Sequence, residues 1–206
     1  MKQAAQKWER EGGVNFLKRI GIKPGQRVLD FGASVGRYSI PAAFVVGTSG
    51  RVYAVDKERQ QLNELSQKAR RLNLNNLEVI RTSDIVTLGF NHESVDVVLF
   101  YDVLHYLKTI EREKLYSEAH CILKANVFLS VYPKHIIGDS PLGQFRNLHL
   151  DNVKNEIENA NFRFQERYCD IISHDDTLTR GCVFNFIKCY YDYDEMHRTQ
   201  KNDFSG

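Results

Sequence analysis

The run Arg27-Val-Leu-Asp-Phe-Gly-Ala-Ser-Val-Gly36 constrains this chain more than any other stretch. A short apolar strand ends on an acid and two glycines, and a helical stretch through Val46 follows, with Pro41 tolerable in its first turn. Gly32 and Gly36 let the backbone pass close to a ligand, and the helix behind them points its free N–H groups at it. Asp56 ends a second apolar run, Arg51–Asp56, and lies 20 residues after Gly36. That is the separation at which an acid accepts hydrogen bonds from two ribose hydroxyls. A nucleoside is expected to dock here.

The rest of the chain extends this strand–loop–helix unit. Residues 3–20 set Trp8, Phe16, Leu17 and Ile20 among charges, an amphipathic helix placed to cover a site, and the turn signals Gly21, Pro24 and Gly25 end it. Lys57–Leu74 reads as a helix, Leu77–Thr82 as a third strand, and Val95–Phe100 as a fourth whose continuous apolar character suits burial on both faces. A helix is expected over Thr109–Lys124, with Thr109 as N-cap and Arg112 where a capping box would want Glu. Asn126–Tyr132 is a fifth strand, and Asp151–Ala160 a helix with Asn161 at its left-handed end. Phe162–Ile172 and Cys182–Tyr191 form a hairpin through SHDDTLTRG. Strands alternating with helices, then two consecutive strands, predict an open α/β sheet that is parallel except for one reversed strand near the edge. No second domain is expected: 1–20 is an N-terminal helix, 21–191 the core and 192–206 a polar, loosely ordered tail.

Charge narrows the partners. Lys and Arg number 28 against 26 Asp and Glu, a net charge of +2. Such a balance gives little field to attract a phosphate backbone or an anionic membrane, so neither nucleic acid nor membrane is expected as a partner. The longest apolar stretches fall short of the roughly 20 residues that span a bilayer. The polar start MKQAAQKWEREGG lacks a secretory h-region, so the expected location is cytoplasmic and the expected thiol state reduced. Cys121, Cys169, Cys182 and Cys189 show no C-x-x-C pair and read as small buried hydrophobes, with a thiolate site for a soft metalloid at Cys169, Cys182 and Cys189 as the minor alternative.

The dinucleotide fingerprint needs glycines at 32, 34 and 37, but the chain has Gly32, Ser34 and Arg37, which disfavours NAD. Asp30, two residues before Gly32, instead sets a carboxylate where a cationic amine can lie. That suits S-adenosylmethionine.

From Gly21 to about Tyr191 the chain resembles the class I S-adenosylmethionine-dependent methyltransferases. VLDFGASVG looks like their first motif, VYAVD their second-strand motif, TSDI their adenine segment and VDVVLFYDVLHYL their fourth-strand motif, in the style of the ubiquinone and menaquinone biosynthesis enzymes. The resemblance implies a Rossmann-like three-layer α/β sandwich, its seven-stranded sheet ordered 3-2-1-4-5-7-6 with strand 7 antiparallel. It also implies site roles: Asp30 and Gly32 against the methionine moiety, with Ser34 and Gly36 completing the loop. Asp56 would hold the ribose hydroxyls, with Lys57 beside the adenine. Asp84 would meet the adenine amino group, Ile85 the ring, and Phe100 and Tyr101 the methionine end. Ser34 departs from the glycine usual in that family.

Two residues are candidates for catalysis. His105 follows the fourth strand and, as an imidazole titrating near neutral pH, can act as a base or shape the pocket; Tyr101 lies beside the expected methyl group. Asp102 invites comparison with metal-binding methyltransferases, but it comes one residue after the position they use and should face the other way on an extended chain, so no metal is expected. Tyr101, Tyr106, Tyr132, His135, Arg146 and His149 are placed at the pocket mouth, and the 133–150 connection is long enough to act as a lid. The expected function is in-line methyl transfer to a small molecule by a monomer or homodimer. The alternative is a non-catalytic cofactor-binding or scaffolding protein of the same fold.

Overall fold

The computed structural model describes residues 6–83, 87–136 and 148–189. A π-helical turn (Trp8–Gly12) runs straight into helix α1 (Gly13–Arg19). Then follow β1 (Arg27–Phe31), α2 (Ser39–Val46), β2 (Arg51–Asp56), α3 (Arg59–Arg71), β3 (Leu77–Arg81) and β4 (Val95–Tyr101). After them come α4 (Thr109–Ile122), β5 (Leu123–Tyr132), α5 (Leu150–Asn159), β6 (Phe162–His174) and β7 (Thr177–Lys188). The strands make one seven-stranded sheet in the order β3-β2-β1-β4-β5-β7-β6. All pairs through β5 are parallel, and β7 runs antiparallel to β5 and β6. The expected fold class and strand order hold.

β4 shows why three layers form. Val98 and Phe100 pack with Leu115 and Tyr116 of α4 and with Val153 and Ile157 of α5. Val97 and Leu99 turn to the reverse face, against Phe16 and Leu17 of α1 and Ala42, Ala43 and Val46 of α2. A strand apolar on both sides is stable only when both sides are covered, and each fully buried Val, Leu or Phe contributes roughly 1.5–3 kcal/mol. The sheet order reverses between β1 and β4, so the loops at their carboxyl ends border the crevice where doubly wound sheets bind ligands.

Several element edges differ from the sequence reading. Lys108, not Thr109, caps α4: its N–H donates to Glu111 Oε2 at 2.6 Å, so the capping box sits one residue earlier and Thr109 is the first helical residue. The hairpin is tighter than expected, with β6 and β7 running on until only Asp175 and Asp176 join them. Asp175, at φ +48°, supplies the left-handed residue that such a short connection needs.

The cysteine reading is corrected as well. Cys169 and Cys182 face each other across the β6–β7 ladder with Cα atoms 4.1 Å apart and are joined in a disulfide rather than held as reduced thiols. Cys189 lies past the far end of β7, where its N–H donates to Asn161, so it does not converge with the other two. Cys121 is exposed, not buried. Among the described residues no helix is long and apolar enough to cross a membrane. The tail at 192–206 lies outside the described residues.

Candidate functional site

The glycine loop between β1 and α2 is fastened to β2. The N–H groups of Gly32 and Ala33 donate to Val55 O at 2.8 and 3.1 Å. Gly36 sits at φ +86°, and a Cβ there would come within 2.2 Å of Leu65 Cδ1 on α3, so glycine is the residue that lets this helix close on the loop. Ser34 adopts φ +49°, the left-handed conformation glycine favours, and its side chain is tolerated there. Its N–H donates to Asp56 Oδ2 at 2.8 Å, while Asp56 Oδ1 accepts from Glu58 N–H at 2.9 Å. Asp56 is thus aimed along the loop by two backbone donors.

Asp30 alternates with Leu29 and Phe31 along β1 and so points to the opposite face, toward α2. It is 3% exposed. Burial pushes its carboxyl up to about 7, against the lowering effect of Ser39, whose hydroxyl donates to Oδ2 at 2.5 Å; the nearby charge of Asp56 raises it further. A carboxyl so placed is half ionised near neutral pH, and a cation beside it would complete its ionisation.

The N-terminal segment roofs this loop. Trp8 Nε1 donates to Arg37 O at 2.8 Å and its ring meets Tyr38 edge-on. Buried Glu9 accepts from Arg37 and Lys68 at 3.3 and 3.5 Å, Lys68 also reaches Val35 O, and Arg37 pairs with Asp176 on the β6–β7 turn at 2.7 Å. Two surface hollows among the described residues lie elsewhere. One of about 430 Å³ is lined by α4 and α5 around Arg112 and Glu156, and another surrounds Gly47 to Gly50 at the amino end of β2. Neither carries the acidic and glycine constellation just described.

Beyond β4 the chain kinks. Asp102 takes φ +56°, which breaks the strand alternation and turns its carboxylate onto three imidazoles. Oδ2 accepts from His174 Nδ1 at 2.5 Å, and Oδ1 lies 3.7 Å from His105 Nδ1 and 3.8 Å from His135 Nε2. Burial holds the His105 imidazole down at about 4, against the opposing charge of Asp102, so it is neutral at physiological pH. The bond to Asp102 raises His174 instead. Val103, next in sequence, packs where a Cβ on Gly32 would fall, 3.0 Å from Cγ2, which sets this cluster against the glycine loop.

A family model described as a methyltransferase domain matches residues 28–126, from β1 to the start of β5. The sheet superposes on the crystal structure of an S-adenosylmethionine-dependent methyltransferase from Aquifex aeolicus with a TM-score of 0.70, covering 87% of this chain and 91% of that one at 22% identity, a likeness of fold. Residues 28–126 are thus similar to a methyltransferase domain, in a chain whose fold is that of the S-adenosylmethionine-dependent methyltransferases. The domain is also similar to a probable cobalt-precorrin-6B C(15)-methyltransferase of Saccharolobus solfataricus, 36% identical over 81 residues, or 39% of this chain and 41% of that protein. A demethylmenaquinone methyltransferase of Oceanobacillus iheyensis is 30% identical over 90 residues, 38% of each chain. The chain therefore spans about two fifths of the length of these curated relatives.

Within the matched segment, Asp30, Gly32, Ser34, Gly36 and Asp56 come together, Ser34 and Asp56 bonded directly. Lys57 is exposed just beyond Asp56, its carbonyl accepting from Arg81. Asp84, Ile85 and Arg146, with residues 137–147 of the expected 133–150 lid, lie outside the described residues. Phe100 is fully buried against Phe31 and Tyr116, so what it can offer the crevice is backbone.

Tyr101 faces the other layer, its ring 4.6 Å from that of Tyr38 and its hydroxyl 2.8 Å from Ser130 Oγ. Burial drives its phenol far above the ordinary range, which removes it as a proton acceptor. Tyr132 is likewise interior rather than at a mouth, while Tyr106 and His149 are exposed.

Sequence reasoning missed His174 altogether, read His135 only as a pocket-mouth residue, and turned Asp102 away. The histidine of SHDD carried no signal because that stretch was read as a connecting loop rather than as the end of β6.

Proposed function

We propose that the chain transfers the methyl group of S-adenosylmethionine to a small-molecule acceptor at the carboxyl ends of β1, β2 and β4. The observation that carries this reading is the constellation of Asp30, the glycine loop and Asp56, bound together at the switch point of a sheet whose residues 28–126 match a methyltransferase family. The cofactor supplies a methyl group already activated as a sulfonium, so the protein's task is to align the acceptor and exclude water. Asp56, aimed by Ser34 and Glu58, is placed to accept from the ribose hydroxyls. Asp30 is placed to meet the amine or sulfonium, where ionisation gains most from a cation. Trp8, Glu9 and Arg37 shield the loop from solvent. His105 stays neutral and is able to accept a proton only from a strongly acidic donor, so it shapes the pocket more than it drives deprotonation.

Incubation with methyl-labelled S-adenosylmethionine and a panel of phenols, quinols, tetrapyrroles, amines and thiols tests this reading. Labelled product together with S-adenosylhomocysteine is the expected outcome; cofactor binding without turnover on any acceptor would instead mark a non-catalytic binding protein.

A further inference from the structure

We propose that Asp102, His135 and His174, with His105 beside them, form a binding site for one divalent transition-metal ion of the zinc type, next to the glycine loop. Asp102, His135 and His174 each offer a ligand atom, and these atoms all lie within 4.8 Å of one another. The 3.7 and 3.8 Å separations from Asp102 Oδ1 to the His105 and His135 nitrogens are too long for hydrogen bonds. They lie within a few tenths of an ångström of the roughly 3.4 Å between neighbouring ligands of a tetrahedral ion with bonds of about 2.1 Å.

The His174–Asp102 hydrogen bond occupies only Oδ2. Among the described residues Oδ1 is buried and accepts no hydrogen bond, an unfavourable state for a buried acceptor and one that a cation would relieve. The donors are carried by the β4 end, the β5 end and the β6 end, so the sheet order 4-5-7-6 gathers them on a rigid frame. Both Asp102 and His135 hold positive φ, +56° and +61°, turning their side chains inward.

The donor set selects the ion. Imidazoles with a single carboxylate suit zinc, iron(II), manganese or cobalt, whereas magnesium and calcium seek oxygen-only shells and copper(I) seeks thiolate. Resting on the methyl-transfer reading, an ion here would border the acceptor and favour molecules that offer it a hydroxyl or carboxylate oxygen.

The test uses the full chain stripped with a chelator and titrated with Zn²⁺ by calorimetry and with Co²⁺ by visible absorption. S-adenosylhomocysteine binding is measured on the same samples, so that loss of the cofactor site registers separately. One equivalent of metal per chain is expected, with cobalt bands of nitrogen–oxygen coordination. Binding should weaken at least tenfold in His135→Gln and in His174→Gln and stay unchanged in His92→Gln, an exposed histidine outside the cluster. Absence of stoichiometric binding by the folded wild-type chain would overturn the proposal, as would equal affinity in folded His135→Gln and His174→Gln.

Discussion

Asp30 is buried in the folded chain and its carboxyl is pushed from an ordinary 3.8 up to about 7. The folded state therefore favours the protonated form. This group's contribution to stability is fully present below about pH 4 and is lost as pH rises toward 7, at up to roughly 1.4 kcal/mol per pH unit. Denaturant unfolding at pH 5 and pH 8 should show that decline in the wild type and a shallower one in Asp30→Asn. A cationic ligand reverses the preference, because it needs the carboxylate. With half-ionisation near 7, S-adenosylmethionine should bind about tenfold more tightly at pH 8 than at pH 6, and Asp30→Asn should flatten the profile. Gly36 makes a sharper demand on geometry. Its φ of +86° and the 2.2 Å approach to Leu65 mean that Gly36→Ala carries both left-handed strain and overpacking against a fully buried leucine. A loss of about 2–4 kcal/mol in chemical unfolding is expected. The glycines and acids of this loop were legible in sequence because each answers to a local rule. Asp102 was not, since its own φ of +56° breaks the strand alternation that would have turned its carboxylate away.

At the scale of elements, the strands that are buried on both faces were the easiest to read. β1 and β2 have the expected ends because their apolar runs stop where burial stops. β7 was cut short because its first residues are mostly polar and largely exposed, and β6 because Ser173 and His174 are polar although buried or half-buried, so that neither shows the apolar alternation of a strand. The Cys169–Cys182 bond was hidden for the same reason, since it depends on a register set by the two-residue turn at Asp175 and Asp176. The N-terminal segment packs over the glycine loop. Trp8, 3% exposed, joins it to the glycine loop through Arg37 O and Tyr38. Trp8→Ala should cost about 3–5 kcal/mol by the loss of a large buried side chain. In calorimetric titration the same variant should also bind S-adenosylhomocysteine more weakly, because the roof over the loop loosens; equal affinity would separate the cover from the site.

Across the whole molecule, function is assembled by topology. The acids at 30 and 56 come from strands that neighbour in the sheet, and strand-end spacing alone sufficed to pair them. His105 lies only three residues beyond Asp102, but the imidazoles at 135 and 174 are brought to it only when β5 lies beside β4 and the β6–β7 hairpin folds back beyond it. A separation of 72 residues between His174 and Asp102 leaves no local pattern to find. The central claim is that the Asp30–glycine–Asp56 crevice holds an adenosyl cofactor. Thermal unfolding with S-adenosylhomocysteine, for the wild type and for Asp56→Ala, tests it most directly. At a ligand concentration a hundred times its dissociation constant the wild type should gain about 2.7 kcal/mol, and Asp56→Ala, compared with its own unliganded state, should gain none. A wild type unmoved by millimolar ligand, or an Asp56→Ala variant stabilised as strongly as the wild type, would contradict the account.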